Sequence, residues 1–526
     1  VTMTAHISLY DLLKDSAQHH GDRRAFAQGA KMATYSQLLE DVRLAAKRLA
    51  DSGVQAGERV AVYTGKQYET VVMFLAINAR GAILVPINPQ LKEQQVRHIL
   101  LDSGARLLIS TGARLRRIEA ALNDIELDTW QLEKLQSETL NTLTDAAFFN
   151  AYAAVTDSDP AAILYTSGST GRPKGVVLSQ RNLVSGAYSV AHYLRLRADD
   201  VILGVLPLSF DAGFSQLTTA LVSGACYAPL DFLQAGEVPT FCEAHGVTVI
   251  TGVPPLWMQL ASVQWPQPAG ARIRCFANTG GHMPPPLLEK LKTAFPNALP
   301  YLMYGLTEAF RSTYLAPEAA VTRPDSIGKA VPNADIRVMR QDGSECAAGE
   351  HGELVHRGAF VTLGYWNDPE LTAQRFRPWL HPDQQISRTE TAVWSGDIVY
   401  RDSDDYLYFV ARSDDMIKTS GYRVSPTEVE EILFAVDDVT EAAAFGVPHP
   451  QQGEAIIISL FAHPQIQTSA QALIKLCRDK LPTYMVPLHV SFHDSPLPRN
   501  PNGKIDRKQL KQQFSEFFST SLTVTE

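Results

Sequence analysis

The stretch TSGSTGRPKG, residues 166–175, follows directly on the apolar run Ala161-Ala162-Ile163-Leu164-Tyr165. The run reads as a short buried strand, and the loop after it holds almost nothing that packs in a core. Thr166, Ser167, Ser169 and Thr170 supply hydroxyls, Gly168 and Gly171 permit close backbone approach, and Lys174 adds a mobile positive charge. A strand ending in such a loop gathers N–H groups and hydroxyls around one point, which suits a polyphosphate. It is not a GxxxxGK[ST] loop, because Lys174 is followed by Gly175 and the glycine spacing differs. The competing reading is an ordinary surface turn.

Around this loop the chain alternates strand and helix signals. Gln37 to Ala50 carries apolar residues at helical spacing, and ERVAVYT (58–64) reads as a buried strand. ETVVMFLAINARG gives a further helix and ARLLIST (105–111) a further strand. VILGVLPL (201–208), VTVITGVPP and IRCFANTGG repeat the theme. This alternation predicts an α/β fold with layered, mostly parallel sheets. From about residue 325 hairpins take over, with Asp342-Gly343 as a turn signal and a second hairpin across 397–412. A third character begins after Arg412. Ser425-Pro426-Thr427-Glu428 reads as a helix start, with Ser as N-cap, Pro at the first helical position and an acid three residues after the cap. The chain is therefore expected to divide into a large N-terminal part, 1–412, of layered α/β subdomains plus a β-rich subdomain, and a small α+β C-terminal domain, 413–526.

Bulk properties narrow the function. A chain of 526 residues exceeds one hydrophobic core. Its net charge of -9 argues against a general nucleic-acid binder. Five dispersed cysteines without a CxxC pair read as reduced structural thiols, neither a disulfide frame nor a zinc site. There is no signal-peptide pattern and no run approaching the ~20 apolar residues that span a bilayer. A cytoplasmic enzyme without membrane or nucleic-acid partners is expected.

Four more segments agree with the opening loop: MYGLTEA (303–309), WSGDIVYRD (394–402), ARSDDMIKTSGYRVSPTEVE (411–430) and LPRNPNGKIDRKQL (497–510). In order and spacing, over roughly residues 10–510, the chain resembles the adenylate-forming superfamily of acyl-CoA synthetases, amino-acid adenylation domains and luciferase. The resemblance implies ATP and Mg²⁺ as cosubstrate and cofactor. It places residues 166–171, Lys174 and Gly280 on ATP, with Tyr304 beside adenine, Thr307 in the catalytic set and Glu308 on the metal. It puts Asp397 and Arg412 on the ribose and Arg423 on a phosphate. Lys504 becomes the catalytic lysine bridging the substrate carboxylate and the α-phosphate, where two anions must approach. Asp414 becomes the hinge, and Gly421 lines the tunnel for a phosphopantetheine thiol. Read without the resemblance, Lys504 after Pro501-Asn502-Gly503 is an exposed turn lysine, and both arginines are surface charges.

The acid is left open. LPLSFDAGFSQLTTALVSGA (206–225) occupies the segment that forms the acid pocket in the family. Phe210-Asp211-Ala212 looks like amino-acid adenylation domains, whose Asp binds the substrate ammonium, and this favours an amine-bearing acid. Buried alone, that carboxylate needs a partner. Arg311, near the pocket by the same alignment, would weaken the amino-acid reading if it paired with Asp211. Otherwise it could meet a second acid group on the substrate. Ser215, Gly252, Thr279 and Ser312 complete a wall of small or polar positions. The predicted reaction converts a small carboxylic or amino acid into acyl-AMP and then a thioester of CoA, or of a carrier protein supplied in trans. The alternative is an acyl- or aryl-CoA synthetase for a small non-amino acid.

Overall fold

The computed structural model describes residues 7–137, 154–167, 173–379, 390–412, 415–419, 422–436, 439–449, 452–462, 468–481, 483–500 and 503–518. The chain forms two compact units, Val1–Ile336 with Val355–Trp394, and Arg337–Leu354 with Ser395–Glu526.

The first unit is built on two sheets. One runs Asp128–Gln131, Leu107–Ser110, Arg59–Tyr63, Ile83–Pro86, Pro160–Ser167, Pro173–Ser179, parallel until its final antiparallel pair. The other has a parallel centre in the order Leu299–Tyr304, Cys275–Asn278, Val249–Gly252, Val201–Gly204, Cys226–Pro229, Arg24–Gln28. Most of these central strands are wholly buried, as continuous apolar runs must be when a sheet is covered on both faces. The helix Tyr68–Ala79 explains how the sheets join: every residue but Glu69 is buried, so it has no solvent face. It packs with Leu9–His20 and Tyr35–Asp51 in a helical layer. The helix Tyr35–Asp51 starts on a capping box, Thr34 accepting from the Gln37 N–H and Gln37 accepting from that of Thr34.

In the second unit, Asp397–Arg401 of the strand Glu390–Arg401 pair with Leu407–Arg412, which sets Asp397 opposite Arg412. A smaller sheet runs Tyr422–Val424, Ile417–Thr419, Gly453–Ala462, Val439–His449, with His489–His493 parallel to Gly453–Ala462. Helices Pro426–Phe434 and Ala470–Lys480 cover it around a core containing Ile417, Val429, Leu433, Ile456, Ile458 and Leu473. The expected capping role of Ser425 does not materialise. Ser425 sits at the N-cap position, but its hydroxyl donates to the Val410 carbonyl. The hydroxyl is oriented by a distant carbonyl and accepts from no N–H of the helix's first turn.

No helix among the described residues is long and apolar enough to cross a membrane. All five cysteines are free and buried.

Candidate active site

Loops leave the C-terminal ends of adjacent parallel strands of the first unit, the place where open α/β sheets present ligand-binding groups. The opening loop is the connection of an antiparallel pair: Thr166 registers opposite Lys174 and Ser167 opposite Pro173. Gly168, Ser169, Thr170 and Gly171 lie outside the described residues, as does the side chain of Ser167. Segment 363–366 runs along the outer edge of Pro173–Ser179, with Leu363 N–H on Val177, Val177 N–H on Gly364 and Trp366 N–H on Gly175. This brings the Tyr365 ring 5.9 Å from the Lys174 ammonium, and the Tyr365 hydroxyl donates to Glu308 Oε1 at 2.6 Å.

Glu308 lies in a short 3₁₀ turn, Thr307–Ala309, whose backbone is fixed from the same segment. The N–H and hydroxyl of Thr362 both donate to the Glu308 carbonyl, at 3.0 and 2.9 Å. Among the described residues no group of three or more His, Cys, Asp or Glu converges to hold a metal. Glu308 therefore offers one half-buried carboxylate. That donor set fits Mg²⁺, which keeps waters and shares phosphate oxygens when one or two carboxylates hold it.

The segments expected to form the acid pocket are organised by the next turn. Phe310 has φ of 51° and is the centre of a three-residue turn closed by the Arg311 N–H on the Ala309 carbonyl. A bulky residue in this region is strained, and packing holds it there. A Cβ at Gly186 would lie 2.3 Å from the Phe310 ring, so the helix Gln180–Tyr193 is cut back to receive it. The turn aims Arg311 inward, where Nη1 donates to the Phe310 carbonyl at 2.7 Å and to Asp211 Oδ2 at 3.3 Å. Asp211 is the first residue of the helix Asp211–Ser223, and its Oδ1 accepts from the Ala212 N–H. Arg311 and Asp211 thus form a buried ion pair, and the carboxylate expected to await a substrate ammonium already has a cation. Arg311 also borders a small cavity with Ser215, Thr219, Thr251 and Met303.

Gly252, Thr279 and Gly280 sit on neighbouring strand ends. The Thr279 N–H donates to the Gly252 carbonyl, and Gly280 has φ of 74°. A Cβ on Gly252 would meet Trp257 at 2.8 Å, and one on Gly280 would approach Val253 and Phe210. Tyr304 is half-buried at the end of its strand. Ser312, expected on the pocket wall, is fully buried and bonded to His356 Nδ1 at 2.9 Å. Burial pushes the His356 imidazole down to about 3, so it is neutral.

Asp397 and Arg412 belong to the second unit. Asp397 is buried, its N–H donates to Ser395 Oγ, and Arg412 Nε stands 3.6 Å from its Oδ1. Lys504 is exposed in the turn before the helix Arg507–Gln513. Asp414 and Gly421 fall outside the described residues, as does the side chain of Arg423.

Tyr365, His356 and Lys66 were not singled out from the sequence. Lys66 is buried and donates to the carbonyls of Val205 and Leu206 while pairing with Asp231, which anchors the approach to the pocket segment. A signal for Tyr365 exists in Gly364-Tyr365-Trp366-Asn367-Asp368-Pro369, an aromatic pair just ahead of an Asp-Pro helix start. The other two carry none, because their partners are distant in sequence.

Layered α/β sheets with polar groups gathered at their strand ends, followed by a small α+β fold carrying an exposed lysine, define an adenylate-forming enzyme. Residues 13–366 match the AMP-binding enzyme family and residues 428–504 the AMP-binding enzyme C-terminal domain, and the chain belongs to this family. A probable CoA ligase of Humulus lupulus is 30% identical, with 99% of each chain covered. The 2-succinylbenzoate–CoA ligase of Geobacillus kaustophilus is 30% identical over 95% of this chain and 97% of its own. The o-succinylbenzoate CoA synthetase of Bacillus subtilis, solved with its acyl-adenylate intermediate, is similar at a TM-score of 0.83 and 27% identity, covering 95% of this chain and 97% of that one.

Proposed function

We propose that this chain is an ATP-dependent ligase that joins a small non-amino carboxylic acid to the thiol of CoA through an acyl-adenylate. The observation that carries the choice of acid is the Asp211–Arg311 pair, both residues under 10% exposed. A carboxylate already neutralised by a buried guanidinium has little reason to recruit an ammonium. The CoA ligases among the relatives support CoA as the acceptor.

In the first half-reaction a carboxylate oxygen attacks the α-phosphorus, and the bond to the pyrophosphate oxygen breaks. Lys174 and the loop 166–171 hold the β- and γ-phosphates so that the leaving group departs into the loop. Tyr304 and Gly280 border the adenine, Asp397 accepts from the ribose hydroxyls with Arg412 beside it, and Arg423 meets a phosphate. Mg²⁺ at Glu308, when bound, would neutralise phosphate charge; Tyr365 holds the carboxylate that would receive it, and Thr362 holds the backbone carbonyl of the same residue. Thr307 belongs to the same turn. Lys504 brings a cation between carboxylate and α-phosphate, where negative charge spreads during displacement. In the second half-reaction the thiol sulfur attacks the acyl carbon and the carbon–oxygen bond to AMP breaks, releasing AMP. Residues 413–526 act as a mobile lid that rotates about Asp414 between the two reactions, with Gly421 along the thiol path. Reduced buried thiols fit a cytoplasmic enzyme.

The test is acid-dependent pyrophosphate exchange over 2-succinylbenzoate, succinate, benzoate, octanoate and phenylalanine, followed by mass detection of acyl-CoA or of an acylated carrier protein. The expected result is strongest exchange with a non-amino acid and acyl-CoA as product. Strongest exchange with phenylalanine, acylation of the carrier alone, or no acid-dependent exchange would overturn the reading.

A further inference from the structure

Lys504 is exposed, and a long flexible side chain in an exposed turn loses orientation easily. Its backbone is nonetheless held from both sides. Arg499 and Ile505 form a bridge across the turn, Asn500 N–H donates to the Lys504 carbonyl at 2.8 Å, and Lys504 N–H donates to Asn500 Oδ1 at 3.1 Å. Asp506 N–H donates to the Pro498 carbonyl at 2.7 Å.

Two carboxylates beneath the turn receive an arginine each. Glu441, in the strand Val439–His449, accepts from Arg499 Nη2 at 2.5 Å and from the Leu497 N–H at 2.8 Å. Arg499 in turn donates through Nη1 to the carbonyl of Gly503, the residue before Lys504, at 2.7 Å. Glu430, in the helix Pro426–Phe434, accepts from Arg507 Nη2 at 2.6 and 2.8 Å and from the Ala444 N–H at 2.7 Å. The two glutamate side chains are 9% and 7% exposed, so neither pair is a loose surface contact. Leu497 and Leu510, at the two ends of the segment, are buried in one small cluster with Phe445 and Val447.

Buried ion pairs add little net stability compared with apolar packing, and their best-attested use is to fix one geometry. Apolar anchoring by Leu497 and Leu510 already ties the segment down. The pairs flank Lys504 at five residues before and three after.

We propose that Glu441–Arg499 and Glu430–Arg507 act as a double clamp of positioning residues that sets the direction in which the Lys504 turn presents its ammonium for adenylation. The inference rests on the role given to Lys504 under the proposed function. A clamp of this kind matters to the half-reaction that uses Lys504 and leaves the other untouched. Positional error near 1 Å at a reacting centre costs about 10²-fold in rate.

The experiment compares Glu430→Gln, Glu441→Gln, the double variant and Lys504→Ala in the full chain. The probe acid is the one with the highest exchange rate in the panel above. Acid-dependent pyrophosphate exchange is measured beside thioester formation from the corresponding preformed acyl-AMP and CoA. Hydrogen exchange at the Gly503, Lys504 and Ile505 amides supplies a readout that needs no acid. The clamp predicts that the single variants lose about 10- to 100-fold in exchange, that the double variant approaches Lys504→Ala, and that thioester formation stays within about twofold of the unsubstituted chain. It also predicts faster amide exchange at 503–505 with Ile456–Ile458 unchanged. Equal loss in both half-reactions, or unchanged adenylation in clamp variants while Lys504→Ala abolishes it, overturns the clamp alone. Full adenylation by Lys504→Ala removes the role of the lysine and the clamp's purpose with it.

Discussion

Arg311 reaches Asp211 across 3.3 Å at the start of a buried helix, with the two residues 2% and 6% exposed. Removing one partner leaves an uncompensated charge where water does not reach. Asp211→Ala should therefore lower the unfolding free energy by about 3–5 kcal/mol. The double variant Asp211→Leu with Arg311→Met should recover most of that loss. Urea unfolding of the three chains checks both statements, and a single variant as stable as the parent would contradict the pairing.

Tyr365 orients Glu308 through a 2.6 Å hydrogen bond. Groups that hold a metal ligand in place typically change metal affinity about 10–100-fold when lost. Tyr365→Phe should raise the Mg²⁺ concentration needed for half-maximal pyrophosphate exchange by that order. Glu308→Gln should depress exchange at every Mg²⁺ concentration. Identical Mg²⁺ titrations for Tyr365→Phe and the parent would separate Tyr365 from the metal.

His356 is wholly buried, and its imidazole is pushed from 6.5 to about 3. Between those values the unfolded chain holds a proton that the folded chain does not. Stability from this group is therefore complete above pH 6.5 and falls as pH drops toward 3. The slope is about 1.4 kcal/mol per pH unit well inside that window. Urea unfolding at stepped pH should show this acid limb, and His356→Leu should flatten it at a lower plateau, since Ser312 then loses its partner.

Burial pushes the thiol of Cys226 up to about 11 and those of Cys242 and Cys275 up to about 12. With little thiolate and no access, the five cysteines should ignore a chromogenic disulfide reagent in the native protein and all react after unfolding. Rapid modification of a native thiol would show a surface opening that this packing does not have.

Much of the fold was readable from local patterns because those patterns act locally. Thr34 and Gln37 cap one helix reciprocally, as neighbouring residues can, and Ala161–Leu164 of the apolar run are buried in the strand it resembles. Ser425 has the same local credentials and yet bonds to Val410, because a carbonyl fifteen residues earlier wins the hydroxyl. The pairing at the expected acid pocket was legible only as alternatives. Asp211 and Arg311 are a hundred residues apart, and nothing at either position says that a strained turn at Phe310 swings one toward the other. Tyr365 and His356 act through contacts 57 and 44 residues away, on Glu308 and Ser312. Motif reading singles out Glu308 and Ser312, and misses Tyr365 and His356, which hold them.

The division of labour between the two lysines is tested most directly by Lys504→Ala, followed through both half-reactions. Acid-dependent pyrophosphate exchange should fall by about two orders of magnitude or more, as expected when a charge made for the transition state is removed. Thioester formation from supplied acyl-AMP and CoA should proceed near the parent rate. Equal loss in both half-reactions, or undiminished exchange, would contradict the account.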